Sequence, residues 1–187
     1  KITKFLNSKL KENISISDIK KLNNIEKTIK FFIKVKEEKK ISIFSDYDVD
    51  GAGSAAICKK FLNQFDIDVK VYIPNRFKEG YGLNVDAVYK LLDFSSNILV
   101  LDCGSNNIEE QKLIHEKGAK VLIVDHHECD TSFAETILIN PKTPEDKSSL
   151  NDLCATGLIF LIFVYLRHEN VFSKIDILQY LDLVALA

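Results

Sequence analysis

The chain has 187 residues, of which 46% are apolar and 28% charged, and its formal net charge is −2. This composition is typical of one globular domain and excludes disordered and fibrous proteins. No apolar run reaches the roughly 18 residues that a membrane-spanning helix needs, and no signal peptide is recognisable, so we expect a cytoplasmic location. The four cysteines form no C-x-x-C pair, which argues against a zinc ribbon or a disulfide scaffold.

The two ends of the sequence indicate a piece of a longer protein. The chain contains no methionine, even at position 1, and it stops inside an apolar run at Ala187. Residues 1–40 hold 12 lysines against 5 acids. We interpret this basic segment as a solvated helix surface, with contact to nucleic-acid phosphates as the less favoured reading.

The predicted elements alternate between helices and short apolar strands. Residues 17–38 are predicted to form a helix capped by Ser17, because apolar residues recur there at spacings of three and four. Strands are predicted at 40–45, 69–73, 97–101, 120–124 and 136–139. Helices are predicted at 54–65, from Asn84 to Leu92, at 108–117 and at about 154–167, with a last helix from Ser173 onward.

Uniformly apolar strands separated by helices predict a parallel sheet that is covered on both faces. The predicted fold class is therefore α/β: a doubly wound, mainly parallel five-stranded sheet with helices on both faces, preceded by an N-terminal helix. We divide the chain into a helical lead-in, residues 1–38, and a sheet domain, residues 39–187.

Acidic residues follow three of the predicted strands. They are Asp46, Asp48 and Asp50 after the first strand, Asp102 after the third, and Asp125, with His126 and His127, after the fourth. The carboxyl ends of parallel strands meet at one edge, where ligands bind in open α/β sheets. Two carboxylates about 4 Å apart repel by roughly 4 kcal/mol at an effective dielectric of 20, so we expect cations among them. Carboxylate and imidazole ligands suit Mn²⁺ and related ions, and paired ions of this kind hydrolyse phosphate esters.

A second motif overlaps the first acidic cluster. Residues 51–56 fit the G-x-G-x-x-A pattern of dinucleotide-binding folds. Three aspartates precede these glycines and would repel a pyrophosphate, and the second strand is followed by Arg76 with no acid for a ribose. We therefore disfavour a nicotinamide or flavin cofactor and expect the glycines to form tight turns that aim the aspartates.

Together, these motifs resemble the DHH phosphoesterase superfamily, and in particular its RecJ branch of single-strand-specific 5′-3′ DNA exonucleases. The segments that carry the resemblance are, in chain order, Asp46–Gly51, Pro74–Gly82, Asp102–Gly104, Asp125–His127, Asn140–Pro141, Leu153–Gly157 and Tyr180–Leu186. Any one of them is weak evidence, whereas the ordered set is specific. Ala187 stands where the family usually has glycine.

The resemblance implies a role for each matching residue. The implied metal ligands are Asp46, Asp48, Asp50, Asp102, His126 and Asp182. Asp102 would bridge two ions, and Asp46 would be either a ligand or a supporting acid. The implied catalytic residues are His127, which would face the scissile phosphate, and Asp125, which would orient the His126 ligand. Arg76 would bind a substrate phosphate.

The remaining polar residues near these motifs receive structural interpretations. We expect Asn106 and Asn107 to cap a helix, and His115 and His168 to lie on the surface.

The resemblance also implies a function. It predicts the catalytic domain of an exonuclease that releases mononucleotides from single-stranded DNA in repair and recombination, without a membrane. Two divalent ions, Mn²⁺ preferred and Mg²⁺ possible, would activate a water for attack on phosphorus. Phe77 and Tyr81 are candidates for base stacking. The DHH-associated and OB-fold domains that build the family's DNA groove lie outside this chain.

Two alternatives remain open from the sequence. The same metal site could act on oligoribonucleotides, cyclic dinucleotides or polyphosphate. A different class would be a non-enzymatic module that binds a cation or accepts a phosphoryl group, although that reading does not explain two adjacent histidines at a separate strand end.

Overall fold

A five-stranded parallel sheet forms the centre of the fold. The computed structural model describes residues 15–129, 133–172 and 175–187. The strands are β1 (Lys40–Ser45), β2 (Asp68–Tyr72), β3 (Asn97–Leu101), β4 (Lys120–Val124) and β5 (Ile137–Ile139). Their order across the sheet is β2-β1-β3-β4-β5, and every neighbouring pair is parallel.

Helices connect and cover these strands. They are α1 (Ile16–Ile19), α2 (Ile25–Glu38), α3 (Val49–Asn63), α4 (Arg76–Glu79), α5 (Val85–Leu92), α6 (Ile108–Glu116), α7 (Ala155–His168) and α8 (Leu181–Leu186), with a 3₁₀ turn at Ile177–Tyr180. No helix in the described ranges is long and apolar enough to cross a membrane.

The sheet buries both of its faces. Along β3, Leu99 and Leu101 belong to one apolar cluster, which α1, α2, α3 and α7 complete. The alternate residues Ile98 and Val100 belong to a second cluster, which α5 and α6 complete. Because successive side chains of a strand point to opposite faces, this alternation confirms the doubly wound architecture.

The N-terminal helix differs from its prediction. Ser15, not Ser17, caps α1 and forms a reciprocal capping box with Asp18. A turn then separates α1 from α2, with Asn24 in the left-handed region at φ 62°. Leu22 inside this turn is still buried, so the apolar spacing continues across the break and conceals it. Both helices pack on the first face of the sheet.

The start of α3 also differs from its prediction. The helix begins at Val49, five residues before the predicted Ser54, because the Asp48 carboxylate caps it by accepting from Gly51 N at 2.9 Å. Gly51 and Gly53 therefore lie inside a helix and form no turns. A Cβ at residue 51 would stand 2.3 Å from the carbonyl oxygen of Asp46. That glycine lets the helix start against the end of β1.

The last α-helix of the described residues begins later than predicted. Residues 173 and 174, where the last helix was predicted to begin, lie outside the described residues. The chain forms the 3₁₀ turn at Ile177–Tyr180 and then α8.

Candidate metal centre

The acids at the strand ends are held in place by the sheet itself. Each continues the parallel ladder by one residue. The backbone N–H of Asp46 donates to Leu101 O at 3.2 Å, that of Asp102 to Val124 O at 2.9 Å, and that of Asp125 to Ile139 O at 3.0 Å. Each acceptor is the last residue of the neighbouring strand. β2 lies on one side of β1 and β3 on the other, so the direction of the strand order reverses between β1 and β3. Doubly wound sheets bind ligands in the crevice at such a switch point.

Two of these acids are buried and have carboxylate oxygens without a hydrogen-bond partner. Asp102 is 1% exposed and Asp46 is 3% exposed. Neither oxygen of Asp102, nor Oδ1 of Asp46, has a hydrogen-bond partner among the described residues. Buried carboxylate oxygens are normally paired, so unpaired ones of this kind require a cation or a proton.

The electrostatics of Asp102 lead to the same conclusion. Burial, together with the neighbouring carboxylates of Asp50 and Asp48, raises the pKa of Asp102 to about 9. Burial also raises the pKa of Asp46 above its ordinary value, with the backbone N–H of Tyr47 opposing the shift. Without a metal ion, these carboxylates therefore bind protons, which neutralise the charge that a metal ion would otherwise neutralise.

Asp50 has its own set of donors. Its Oδ2 accepts from Ala155 N and its Oδ1 from Thr156 N, both at 2.7 Å, so this carboxylate caps α7. Burial raises the pKa of Asp50, but these hydrogen bonds outweigh burial and hold the pKa below its ordinary value. Asp50 Oδ2 also lies 3.5 Å from His126 Nε2.

The two histidines have different environments. His126 directs Nε2 toward Asp102 Oδ1 at 3.2 Å. His127 is held by Asp125, whose Oδ1 lies 2.7 Å from His127 Nδ1. We expected Asp125 to orient the ring of His126, but the Asp125 carboxylate contacts the ring of His127 instead. From His126 it accepts the backbone N–H, at 2.8 Å. Its imidazole partner is His127.

The residues form two groups of candidate ligands that share one member. One group contains Asp46, Asp48 and Asp102, and the other contains Asp102, His126 and His127. Within each group the ligand atoms lie within 4.8 Å of one another. Oxygen and imidazole donors of this kind suit Mn²⁺ or Mg²⁺, and the unpaired Asp102 carboxylate lies where a bridging ligand would be needed. The donor set therefore fits a pair of divalent ions.

Two predicted site residues lie at the margins of these groups. Arg76, the first residue of α4, is exposed, and its guanidinium lies 5.4 Å from the centroid of the Tyr47 ring. The Arg76 charge lowers the pKa of Asp46, though less than burial raises it. Asp182 is exposed on α8, where its Oδ1 accepts from Leu183 N at 2.8 Å, and it belongs to neither group. Its role as a ligand stays a prediction.

The two candidate aromatics are exposed, and one of them contacts a histidine. Phe77 on α4 is 96% exposed. Tyr81 is 58% exposed, and its hydroxyl lies 3.4 Å from His127 Nε2.

Other polar residues differ from their predicted roles. Asn107 occupies the N-cap position of α6, but its side chain makes no capping bond and instead donates to Leu83 O at 2.8 Å. Asn106 donates to Glu128 O at 3.0 Å. His115, predicted to lie on the surface, is half-buried beside Phe133, with ring centroids 5.6 Å apart.

Sequence reasoning assigned no role to several residues that hold the centre in place. Ser105 N donates to Asp125 Oδ2 at 3.0 Å. Asn140, 1% exposed, donates from Nδ2 to Ser105 Oγ at 3.0 Å and to His127 O at 2.9 Å. Asn140 directly follows β5, so the rule that pointed to the strand-end acids also points to this residue. Thr156 lies in the Leu153–Gly157 segment that carries the family resemblance, but nothing in that segment indicates its contact with Asp50, which arises from the packing of α7.

Fold and site together define a class: a doubly wound α/β domain with a carboxylate–histidine metal centre at its switch point. The family model for the N-terminal domain of the DHH family matches residues 40–187. The chain belongs to the DHH family.

Several characterised relatives are similar in sequence or structure. The chain is 34% identical over 128 residues to the single-stranded-DNA-specific exonuclease RecJ of Bacillus subtilis, covering 67% of this chain and 16% of that protein. It is 32% identical over 152 residues to the enzyme of the same name from Thermus thermophilus, covering 81% and 22%. A solved structure of exonuclease RecJ bound to manganese matches with TM-score 0.77 and 28% identity over 88% of this chain and 42% of the other. The chain thus spans a small part of the curated relatives' length.

Proposed function

We propose that the chain is the catalytic domain of a RecJ-like 5′-3′ exonuclease that removes mononucleotides from single-stranded DNA with two divalent ions, Mn²⁺ preferred. The observation that carries the proposal is the pair of ligand groups that share the buried, unpaired Asp102. Support comes from relatives named as single-stranded-DNA-specific exonucleases and from a similar structure that holds manganese.

The proposed ligands divide between two ions. Asp46, Asp48 and Asp102 would hold one, and Asp102 with His126 would hold the other. Asp50 lies beside His126 and would join the set, and Asp182 would complete it. When bound, the ions would neutralise the carboxylates, polarise the phosphate and lower the pKa of water.

The remaining residues act on the substrate. Asp125 holds His127 by Nδ1, so that the opposite nitrogen, Nε2, faces outward to contact the scissile phosphate and to carry a proton. Arg76, over the Tyr47 ring, would bind a second phosphate through its planar guanidinium. Tyr81, whose hydroxyl lies 3.4 Å from His127 Nε2, and Phe77, which is exposed and follows Arg76 in the sequence, would stack on bases. We propose a cytoplasmic location and a role in repair and recombination on the same grounds.

Nucleotide release from labelled single-stranded DNA in the presence of Mn²⁺ tests the proposal. Blunt duplex DNA, a cyclic dinucleotide and a short oligoribonucleotide serve as competing substrates. We expect Asp102→Asn to reduce release to background. Asp68→Asn, the same chemical change at an exposed position where β2 begins, should leave it unchanged.

The outcomes separate the parts of the proposal. Preference for the cyclic dinucleotide or the oligoribonucleotide would overturn the DNA assignment and keep the hydrolase. Release that persists in Asp102→Asn would overturn the role of the shared carboxylate.

A further inference from the structure

The N-terminus of α7 meets the metal centre through one carboxylate. Cys154 is the N-cap residue of α7, and its side chain makes no capping hydrogen bond. Asp50, on α3, supplies the cap: its two oxygens accept from the first two backbone N–H groups of α7, each at 2.7 Å. A helix N-terminus carries about half a positive charge and favours an anion at this place.

Thr156 binds the main chain of Asp50 as well as its side chain. Its backbone N–H donates to the Asp50 carboxylate, and its hydroxyl donates to the Asp50 carbonyl oxygen at 2.8 Å. Thr156 is fully buried, so this hydroxyl is shielded from water. The side chain and the main chain of Asp50 are thus both bound to one residue of α7, which leaves the carboxylate little freedom to turn.

The sequence of α3 accommodates this close contact. A Cβ at Gly53 would stand only 2.9 Å from Thr156 Oγ1. Because real Cβ atoms do not approach other atoms so closely, any larger residue at position 53 would displace the Thr156 hydroxyl. The Thr156 hydroxyl therefore explains why glycine fits at position 53.

The position of the bound carboxylate gives this contact a consequence for metal binding. Asp50 Oδ2 faces His126 Nε2 at 3.5 Å, and Asp50 adds to the negative charge around Asp102. We infer that Thr156 is a positioning residue for the metal centre, which fixes the Asp50 carboxylate in the orientation that binds a divalent ion. The inference rests on the proposed function, because it requires that the centre bind metal.

The alternative is that Thr156 serves only to pack α7 on α3, and the chain offers a matched control for that case. Thr28 in α2 is also fully buried, and its hydroxyl also donates to a backbone carbonyl, that of Ile25, at 2.6 Å. Thr156→Val and Thr28→Val therefore make the same chemical change. Only the first touches Asp50.

Mn²⁺ affinity of the 187-residue chain, measured by isothermal titration calorimetry at a temperature where circular dichroism shows each variant folded, tests the inference. Loss of a residue that orients a metal ligand weakens metal affinity by about 10- to 100-fold. We expect a loss in that range for Thr156→Val, affinity within about threefold of wild type for Thr156→Ser, which keeps the hydroxyl, and no change for Thr28→Val.

Three results would overturn it. A folded Thr156→Val variant with wild-type affinity, or an equal loss in Thr28→Val, would reduce the contact to packing. If Thr156→Val does not fold, Gly53→Ala provides the same test, because its Cβ pushes the Thr156 hydroxyl out of place without removing it from the protein. Wild-type affinity in Gly53→Ala would likewise overturn the inference. Absence of Mn²⁺ binding by the wild-type chain would instead overturn the proposed metal centre itself.

Discussion

Two aspartates at the ends of neighbouring strands have the same burial and opposite environments. Asp102 follows β3 and Asp125 follows β4, and each is 1% exposed. Both oxygens of Asp125 accept hydrogen bonds, from Ser105 N and from His126 and His127. Neither oxygen of Asp102 has such a partner among the residues that the structure describes.

The difference separates a structural carboxylate from a ligand. Burial raises the pKa of Asp125, but its donors outweigh burial and hold the pKa below the ordinary value, whereas the pKa of Asp102 rises to about 9. A buried anion whose lone pairs are all used orients its neighbours. A buried anion whose lone pairs are unused requires a cation, and this distinction is invisible in a sequence where both residues are strand-end aspartates.

The largest expected effect is on stabilisation by metal. Free Mn²⁺ at about 100 times its dissociation constant should add roughly 2.7 kcal/mol to the free energy of unfolding for each independent site. Because Asp102 belongs to both ligand groups, Asp102→Asn should abolish this increase, measured as a shift of the thermal midpoint. Asp125→Asn should keep most of it. Equal losses in the two variants would show that the two carboxylates do not differ in role.

The pH dependence of the metal-free chain should show the same contrast. The folded pKa of Asp102 is about 9, and its ordinary value is 3.8. Between these values the folded chain holds a proton that the unfolded chain has released, so stability falls as pH rises. One such proton gives a slope of at most about 1.4 kcal/mol per pH unit.

Denaturant unfolding with a chelator at pH 5, 6.5 and 8 measures this slope. The fall should be steeper in wild type than in Asp102→Asn, which carries no titrating group there. Burial lowers the pKa of His115, which gives stability that rises over the lower part of this range, but the difference between the two proteins cancels that contribution. A wild-type slope no steeper than that of the variant would contradict the raised pKa.

Asp125 should make the larger contribution to the stability of the metal-free fold. Asp125→Asn places amide hydrogens against backbone and imidazole donors and leaves buried groups unsatisfied, which costs about 1–3 kcal/mol. Asp102→Asn removes no assigned hydrogen bond, since the close contact of this carboxylate is with His126 Nε2 at 3.2 Å, which an amide oxygen can keep. Asparagine also tolerates the left-handed backbone of that position, at φ 60°. Urea unfolding at pH 7 in chelator compares the two. Destabilisation of Asp102→Asn as large as that of Asp125→Asn would be inconsistent with an unpaired Asp102.

The sequence predicts the sheet better than the helices that cover it. The bounds of β1, β3 and β4 agree with prediction, because buried parallel strands are short, uniformly apolar runs with clear ends. The turn at Asn24 was missed because its buried residues keep the helical spacing. The start of α3 was missed because glycine is a weak signal: Gly51 and Gly53 serve close packing here and not a turn.

The same limit applies to the site. Strand-end acids are predictable, since topology brings the ends of parallel strands to one edge. The donors that decide the role of each acid come from elsewhere in the chain: Asn140 holds the loop around His127, and the first turn of α7 binds Asp50. The strand-end rule and the family resemblance mark these segments, but which donor meets which acid depends on how helices and loops pack over the sheet, and a local pattern does not encode that packing.

The smallest expected effect concerns the second neighbour of His127. Asp125 contacts Nδ1 of that ring at 2.7 Å from a buried position, whereas the Tyr81 hydroxyl approaches Nε2 at 3.4 Å from an exposed one. A long, solvent-exposed contact contributes little, so Tyr81→Phe should change stability by no more than about 0.5 kcal/mol. A similar loss in transition-state binding would lower turnover in the proposed nuclease reaction by only roughly twofold.

Measuring turnover for Tyr81→Phe beside Asp125→Asn shows which neighbour orients the imidazole. If Asp125 alone sets the ring, the aspartate variant loses far more activity than the tyrosine variant, because an amide in its place offers hydrogens as well as an oxygen to Nδ1 and permits the wrong tautomer. If Tyr81→Phe loses as much, the hydroxyl at Nε2 belongs to the proton path. The role of Asp125 as the orienting carboxylate would then have to be shared with a residue on the opposite side of the ring.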